Sequence, residues 1–131
     1  MTILNEEFLI FPEEVHRMGN SNSHRLTKIK VGEVDTYIIN GVTMIRANGK
    51  GVSLYTLEKV LEKGLTGFAW RFKKNTQVVA NLKLVNDEPG HYMLCPIKNM
   101  PLDEYKGLLE NMGVSSAKYI KVKEGGKIQL V

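Results

Sequence analysis

"DTYIINGVTMIRA", residues 35–47, is two short runs in which β-branched residues alternate with polar ones, joined by Asn40-Gly41. A two-residue type I′ turn needs positive φ at both central positions, and Asn-Gly accepts that conformation readily. The stretch therefore predicts an antiparallel hairpin over 35–39 and 42–47. A hairpin in this position argues against regular strand-helix-strand crossovers and for an α+β chain with antiparallel sheets.

Working outward, the same signals predict strands at RLTKIKV (25–31), GFAWRF (67–72), QVVANLKLV (77–85), HYMLCPI (91–97), KYIKV (119–123) and KIQLV (127–131). Asp87-Glu88-Pro89-Gly90 and Glu124-Gly125-Gly126 supply turns between them. Two helices are expected. TLEKVLEKG (56–64) puts Leu57, Val60 and Leu61 on one stripe, with Thr56 or Ser53 able to cap its start and Gly64 its end. The second follows Pro101 and spaces Leu102, Tyr105, Leu108, Leu109 and Met112 along one face up to Gly113. PEEVHRMG (12–19) reads as a short turn and GNSNSH (19–24) as a flexible loop. Two packed antiparallel sheets with flanking helices are thus expected, in one domain over 1–131 that buries roughly two thirds of its unfolded surface.

The formal charge is +4, unevenly spread: residues 6–14 hold four glutamates and no base, while RFKK (71–74) and AKYIKVKEGGK (117–127) are basic. That asymmetry suits an anionic ligand or partner, or simply a solvated basic face. FAWRFKK (68–74 with Gly67 before it) could stack and neutralise nucleic acid, or could turn Phe68, Trp70 and Phe72 inward and its charges out. The single Cys95 reads as a buried thiol, and the three histidines are too scattered to form a metal set. No apolar run approaches the roughly 20 residues of a membrane span, and the N-terminal segment is acidic where a signal peptide is basic, so the cytoplasm is the expected place of action.

The chemistry centres on NGKGVSLY, residues 48–55. A phosphate-binding P-loop fails twice here: Gly49-Lys50 is followed by Gly51, and the upstream glycine position is Met44. Two readings remain. In one, Asn48-Gly49 simply turns the chain and Ser53 opens a helix; in the other, Arg46, accessible glycine backbone and a hydroxyl beside a helix start form an edge that faces a diphosphate. His24-Arg25 opens a predicted strand, where a guanidinium could hold a phosphate. His91 and Tyr92 follow a Pro-Gly turn and could project into a cleft. No serine-histidine-acid order is legible, and Glu58, Glu88 and Glu104 are accounted for by helix or turn positions.

On these residues, the segment Ile45 to Gly113 resembles a bacterial type VI secretion effector family of NAD-dependent cytotoxins with an ADP-ribosyltransferase-like fold. Gly51-Val52-Ser53-Leu54-Tyr55 is similar to the family's Gly-Thr-Ser-apolar-aromatic stretch, and HYMLCPIKNM (91–100) to its His-Tyr-x-x-x-Pro-x-Lys-x-Met segment. His24-Arg25 is set against a Tyr-Arg pair near the family's first core strand. Val52 stands where the family has threonine, His24 where it has tyrosine, and no glutamate is found for orienting the acceptor. The resemblance implies NAD in a cleft between two sheets, with Arg25 and Ser53 as the catalytic pair. Arg25 would sit on an NAD phosphate and Ser53 by the nicotinamide ribose. His24, Lys50, Gly51, Tyr55, His91 and Tyr92 would be NAD-binding. It also implies a growth-inhibiting toxin acting in bacterial cytoplasm, including that of a target cell reached without a signal peptide. A cognate immunity protein would block it, and the acceptor macromolecule, nucleic acid among the possibilities, is unidentified. The other reading is a non-catalytic module that holds nucleic acid or an acidic protein through the basic strands 67–74 and 117–127.

Overall fold

The computed structural model describes residues 5–131. Eight strands form one antiparallel sheet: β1 (Glu6–Phe8), β2 (Val15–Gly19), β5 (Val52–Tyr55), β6 (Gly67–Phe72), β7 (Leu82–Glu88), β8 (His91–Pro96), β10 (Ala117–Lys123) and β11 (Lys127–Leu130). Their spatial order is β1-β7-β8-β5-β2-β6-β10-β11. A second sheet joins β3 (Thr36–Ile39), β4 (Val42–Ile45) and β9 (Met100–Pro101). The helices are α1 (Leu57–Glu62) and α2 (Leu102–Gly113).

The Asn40-Gly41 hairpin forms as expected. Asn40 has φ 50° and Gly41 φ 76°, and the register runs from Thr36↔Ile45 to Ile39↔Val42. β9 then pairs with β4 through Ile45↔Met100, so the hairpin is tied to the chain just before α2. Ile45 and Met100 lie in one apolar cluster with Leu54, Phe72, Leu84, Tyr105, Leu109 and Met112, so the small sheet, α2 and the large sheet share a core. A second cluster on Val60, Ala69, Ile120 and Val122 takes in α1. The large sheet is therefore covered on both faces, and alternation along β5 sends Val52 and Leu54 into the first core while Tyr55 packs on the second.

Several expectations are corrected. Residues 25–31 form no strand: Arg25 sits at φ 56°, a turn closes through the Lys28 amide to the Arg25 carbonyl (3.1 Å), and the carbonyls of Arg25 and Lys28 accept from the Arg17 side chain. The strand is instead β2, within the segment read as a short turn. Its alternation was masked because His16 and Arg17 are both buried, at 1% and 2% exposure. In 77–85 the strand starts only at Leu82, since Asn81 has φ 74° and the Val78 amide bonds to the Leu9 carbonyl. β1 and the two-residue β9 carried no sequence signal.

Thr56 caps α1, accepting from the Lys59 amide (3.3 Å); Ser53 lies within β5 and caps nothing. Gly64 closes the helix end at φ 67°. Of the three aromatics expected inward, Phe72 is fully buried, whereas the Trp70 indole donates to the Asn20 carbonyl (2.8 Å) and Phe68 lies under the ammonium groups of Lys118 and Lys121. Ala69, on the opposite face of that strand, enters the second core. Cys95 is buried, and burial pushes its thiol up to about 12, which leaves it unreactive as a nucleophile.

Candidate active site

The site grows from a split in the large sheet. On one side β5 follows β8 through four partners, Val52↔Leu94 to Tyr55↔His91; on the other it meets β2 at His16↔Tyr55 alone. Beyond that pair the strands part, and the main-chain groups of Ser53 face the gap. Arg17 fills it. Its Nη1 donates to the Ser53 carbonyl (3.0 Å) and to Glu33 Oε2 (2.9 Å), its Nη2 to the Lys28 carbonyl (2.8 Å) and its Nε to the Arg25 carbonyl (3.3 Å).

Glu33 completes the arrangement by accepting the amides of Ser53 (2.8 Å) and Lys30 (2.7 Å). An ion pair thus satisfies both backbone groups of Ser53, which would otherwise be unpaired polar atoms away from water. Burial alone would push the Glu33 carboxyl up, but the hydrogen bond and charge of Arg17, with the two amides, hold it below its ordinary value.

The Ser53 side chain meets a second set of groups. His91 Nε2 lies 2.9 Å from Ser53 Oγ, and His91 Nδ1 lies 2.6 Å from Asp87 Oδ1. The Tyr55 ring stacks on the imidazole with centroids 5.2 Å apart and planes at 30°. Of the residues expected in the site, Ser53, Tyr55 and His91 therefore come together.

The others lie elsewhere. Tyr92, expected on the rim, is buried on the opposite face of β8, where its ring packs against Phe8 and its hydroxyl donates to Glu13. Burial and the Glu13 hydrogen bond push its phenol up. Gly51 is buried too, and the close approach it permits is to β8: a Cβ there would stand 2.0 Å from the Leu94 carbonyl oxygen. Lys50 pairs with Asp35 (3.1 Å) and Arg46 lies over the Tyr37 ring (4.4 Å), so both cations are engaged around the hairpin.

His24 accepts the Leu26 amide (3.0 Å), meets the Trp70 ring edge-on and packs against Gly113 at the end of α2. Arg25 lines a hollow of about 240 Å³ with Arg17, Gly19, Lys28, Lys30 and Thr66. Arg17 both borders this hollow and grips Ser53, so one side chain joins the two.

Asp87, Glu88 and His91 offer possible metal-ligand atoms within 4.8 Å of one another. All three are already engaged, His91 and Asp87 with each other and Glu88 with Lys59 (3.9 Å). Among the described residues no helix is long and apolar enough to cross a membrane.

Arg17, Glu33 and Asp87 were missed at the level of sequence. One signal existed for the first: Arg17 lies between Val15 and Met18, apolar residues of β2.

Two antiparallel sheets, two helices and a strand split around a buried arginine and a serine define the class as a mostly β protein with a polar site at the split. A family model described as Tse2 ADP-ribosyltransferase toxin matches residues 12–118, a span that holds Arg17, Glu33, Ser53, Asp87 and His91. The chain belongs to this ADP-ribosyltransferase toxin family. Comparison with curated proteins and with solved structures returned no match.

Proposed function

We propose that the chain is an NAD-dependent, growth-inhibiting toxin that transfers ADP-ribose to an acceptor macromolecule in bacterial cytoplasm, and that a cognate immunity protein restrains it. The observation that carries this reading is the junction of the hollow and the Ser53 backbone through Arg17.

The donor set fits the substrate. Arg17 is neutralised by Glu33, so the positive charge of the hollow comes from Arg25, Lys28 and Lys30, which suit the pyrophosphate of NAD. Ser53, fixed by its backbone at the edge of the split, orients the nicotinamide ribose. Departure of nicotinamide and attack by the acceptor then draw mainly on positioning and on charge placed in advance. The membership in an ADP-ribosyltransferase toxin family supports the reading.

Calorimetric titration of the wild type and of Arg25→Ala with NAD tests it. Saturable heat in the wild type, lost or weakened at least tenfold in Arg25→Ala, is expected. Silence from both would overturn it.

One observation favours a second reading. Lys118 Nζ and Lys121 Nζ each stand 5.3 Å from the centre of the Phe68 ring, an aromatic and cationic surface of the kind that holds nucleic acid or an acidic protein without catalysis. Binding that weakens steeply with salt and ignores substitution of Ser53 and Arg25 would select this reading over transfer.

A further inference from the structure

We propose that Asp87, His91 and Ser53 form a proton relay, in which Asp87 positions the His91 imidazole and His91 takes the proton of the Ser53 hydroxyl. The three come from three adjacent strands. The β7–β8 register shifts between Asn86↔Tyr92 and Glu88↔His91, so Asp87 is the extra residue of a β-bulge. A bulge re-aims a side chain, and such features gather beside active sites. Here it brings the Asp87 carboxylate to the imidazole four residues on. Asn86 Nδ2 fixes the turn by donating to the carbonyls of Glu88 (2.7 Å) and His91 (2.8 Å).

Chemistry then sets the direction of the hydrogen bonds. An ionised carboxylate can only accept, so the 2.6 Å contact with Asp87 puts a proton on Nδ1. In the neutral ring that leaves Nε2 as a lone pair, 2.9 Å from Ser53 Oγ, which donates to it. Tyr55 closes one face of the ring, while the His91 side chain at 14% exposure and Asp87 at 34% keep a path to water. Hydroxyl, base and orienting acid stand in the order that lets a hydroxyl give up its proton in unrelated hydrolases.

The relay rests on the transfer reading for its use. As the bond from acceptor to ribose carbon forms and the bond to the nicotinamide nitrogen breaks, nicotinamide leaves neutral with the bonding pair. The acceptor's proton passes to Ser53 Oγ, the serine's own proton passes to His91 Nε2, and the imidazolium beside Asp87 then releases it to water. The site therefore fits an acceptor group with a proton to lose, such as a hydroxyl.

The test begins on the full chain without NAD. Nitrogen-15 spectra of the wild-type histidines are expected to place the His91 proton on Nδ1, with Nε2 unprotonated. In Asp87→Asn the amide can donate to Nδ1, and the proton is expected to move to Nε2. Turnover of NAD should then fall about 10²–10⁴-fold in kcat, with KM for NAD changed less than twofold and Asp87→Glu recovering part of the loss. A wild-type proton on Nε2, an unmoved tautomer in Asp87→Asn, or unchanged kcat would overturn the relay. Should the wild type neither bind nor turn over NAD, the transfer reading falls and the tautomer spectra alone decide the relay.

Discussion

Arg17 and Glu33 together replace a neighbouring strand for Ser53: the guanidinium takes its carbonyl at 3.0 Å and the carboxylate takes its amide at 2.8 Å. Their side chains are 3% and 9% exposed, so each charge depends on the other.

Removing one partner leaves the other buried and unpaired. Arg17→Met should cost about 3–5 kcal/mol in urea denaturation. The double variant Arg17→Met with Glu33→Leu should cost clearly less than the sum of the two single changes, because it leaves no orphaned charge. Strict additivity would refute the coupling.

Acidification should weaken the fold in two stages. Burial holds the His16 imidazole below its ordinary value, although the Tyr55 carbonyl and Glu14 pull it upward, and its Nε2 has no hydrogen-bond partner among the described residues. The unfolded histidine takes its proton first, so stability should decline as pH falls through about 6.5 towards the lower folded value. Glu33, also held low in the fold, contributes fully above about pH 4.3 and loses that contribution as pH falls through its folded value. Urea midpoints measured across pH should show both stages, with His16→Gln lacking the first.

Tyr105 seals the far end of the same strand. Its buried hydroxyl donates to the Leu94 carbonyl (2.6 Å) and accepts the Val52 amide (3.1 Å). Tyr105→Phe keeps the ring but strands both groups, at a cost of about 1–3 kcal/mol. A melting temperature equal to that of the wild type would contradict this.

Ser53→Ala removes the hydroxyl and leaves the backbone clasp in place. Stability should change by no more than about 0.5–1.5 kcal/mol, while growth inhibition on expression in bacteria is lost. A folded variant that remains fully toxic would remove the serine from the site.

What could be read from sequence was local. Asn40-Gly41 dictates its hairpin within a few residues, and the spacing of Tyr105, Leu109 and Met112 dictates the buried face of α2. Ser53 and His91 were named for their neighbours in sequence, but their contact spans 38 positions and exists only once β5 and β8 pair. Asp87 looked like a turn residue because nothing in its vicinity announces a bulge. Residues 25–31 look like a strand because they alternate, yet their carbonyls are claimed by a side chain from β2, a partnership no periodicity reveals.

The single pairing of His16 with Tyr55 makes the large sheet two four-stranded plates held by one rivet. Torsion between the plates breaks few main-chain bonds, and the clasp in the gap resists it together with the apolar cluster that joins Leu54 and Leu84 to Val15 and Phe72. An anion drawn to Arg25, Lys28 and Lys30 would load that seam directly, tuning the serine's attitude through the very side chain that holds it; slower amide exchange at His16 and Tyr55 on anion binding would register the stiffening.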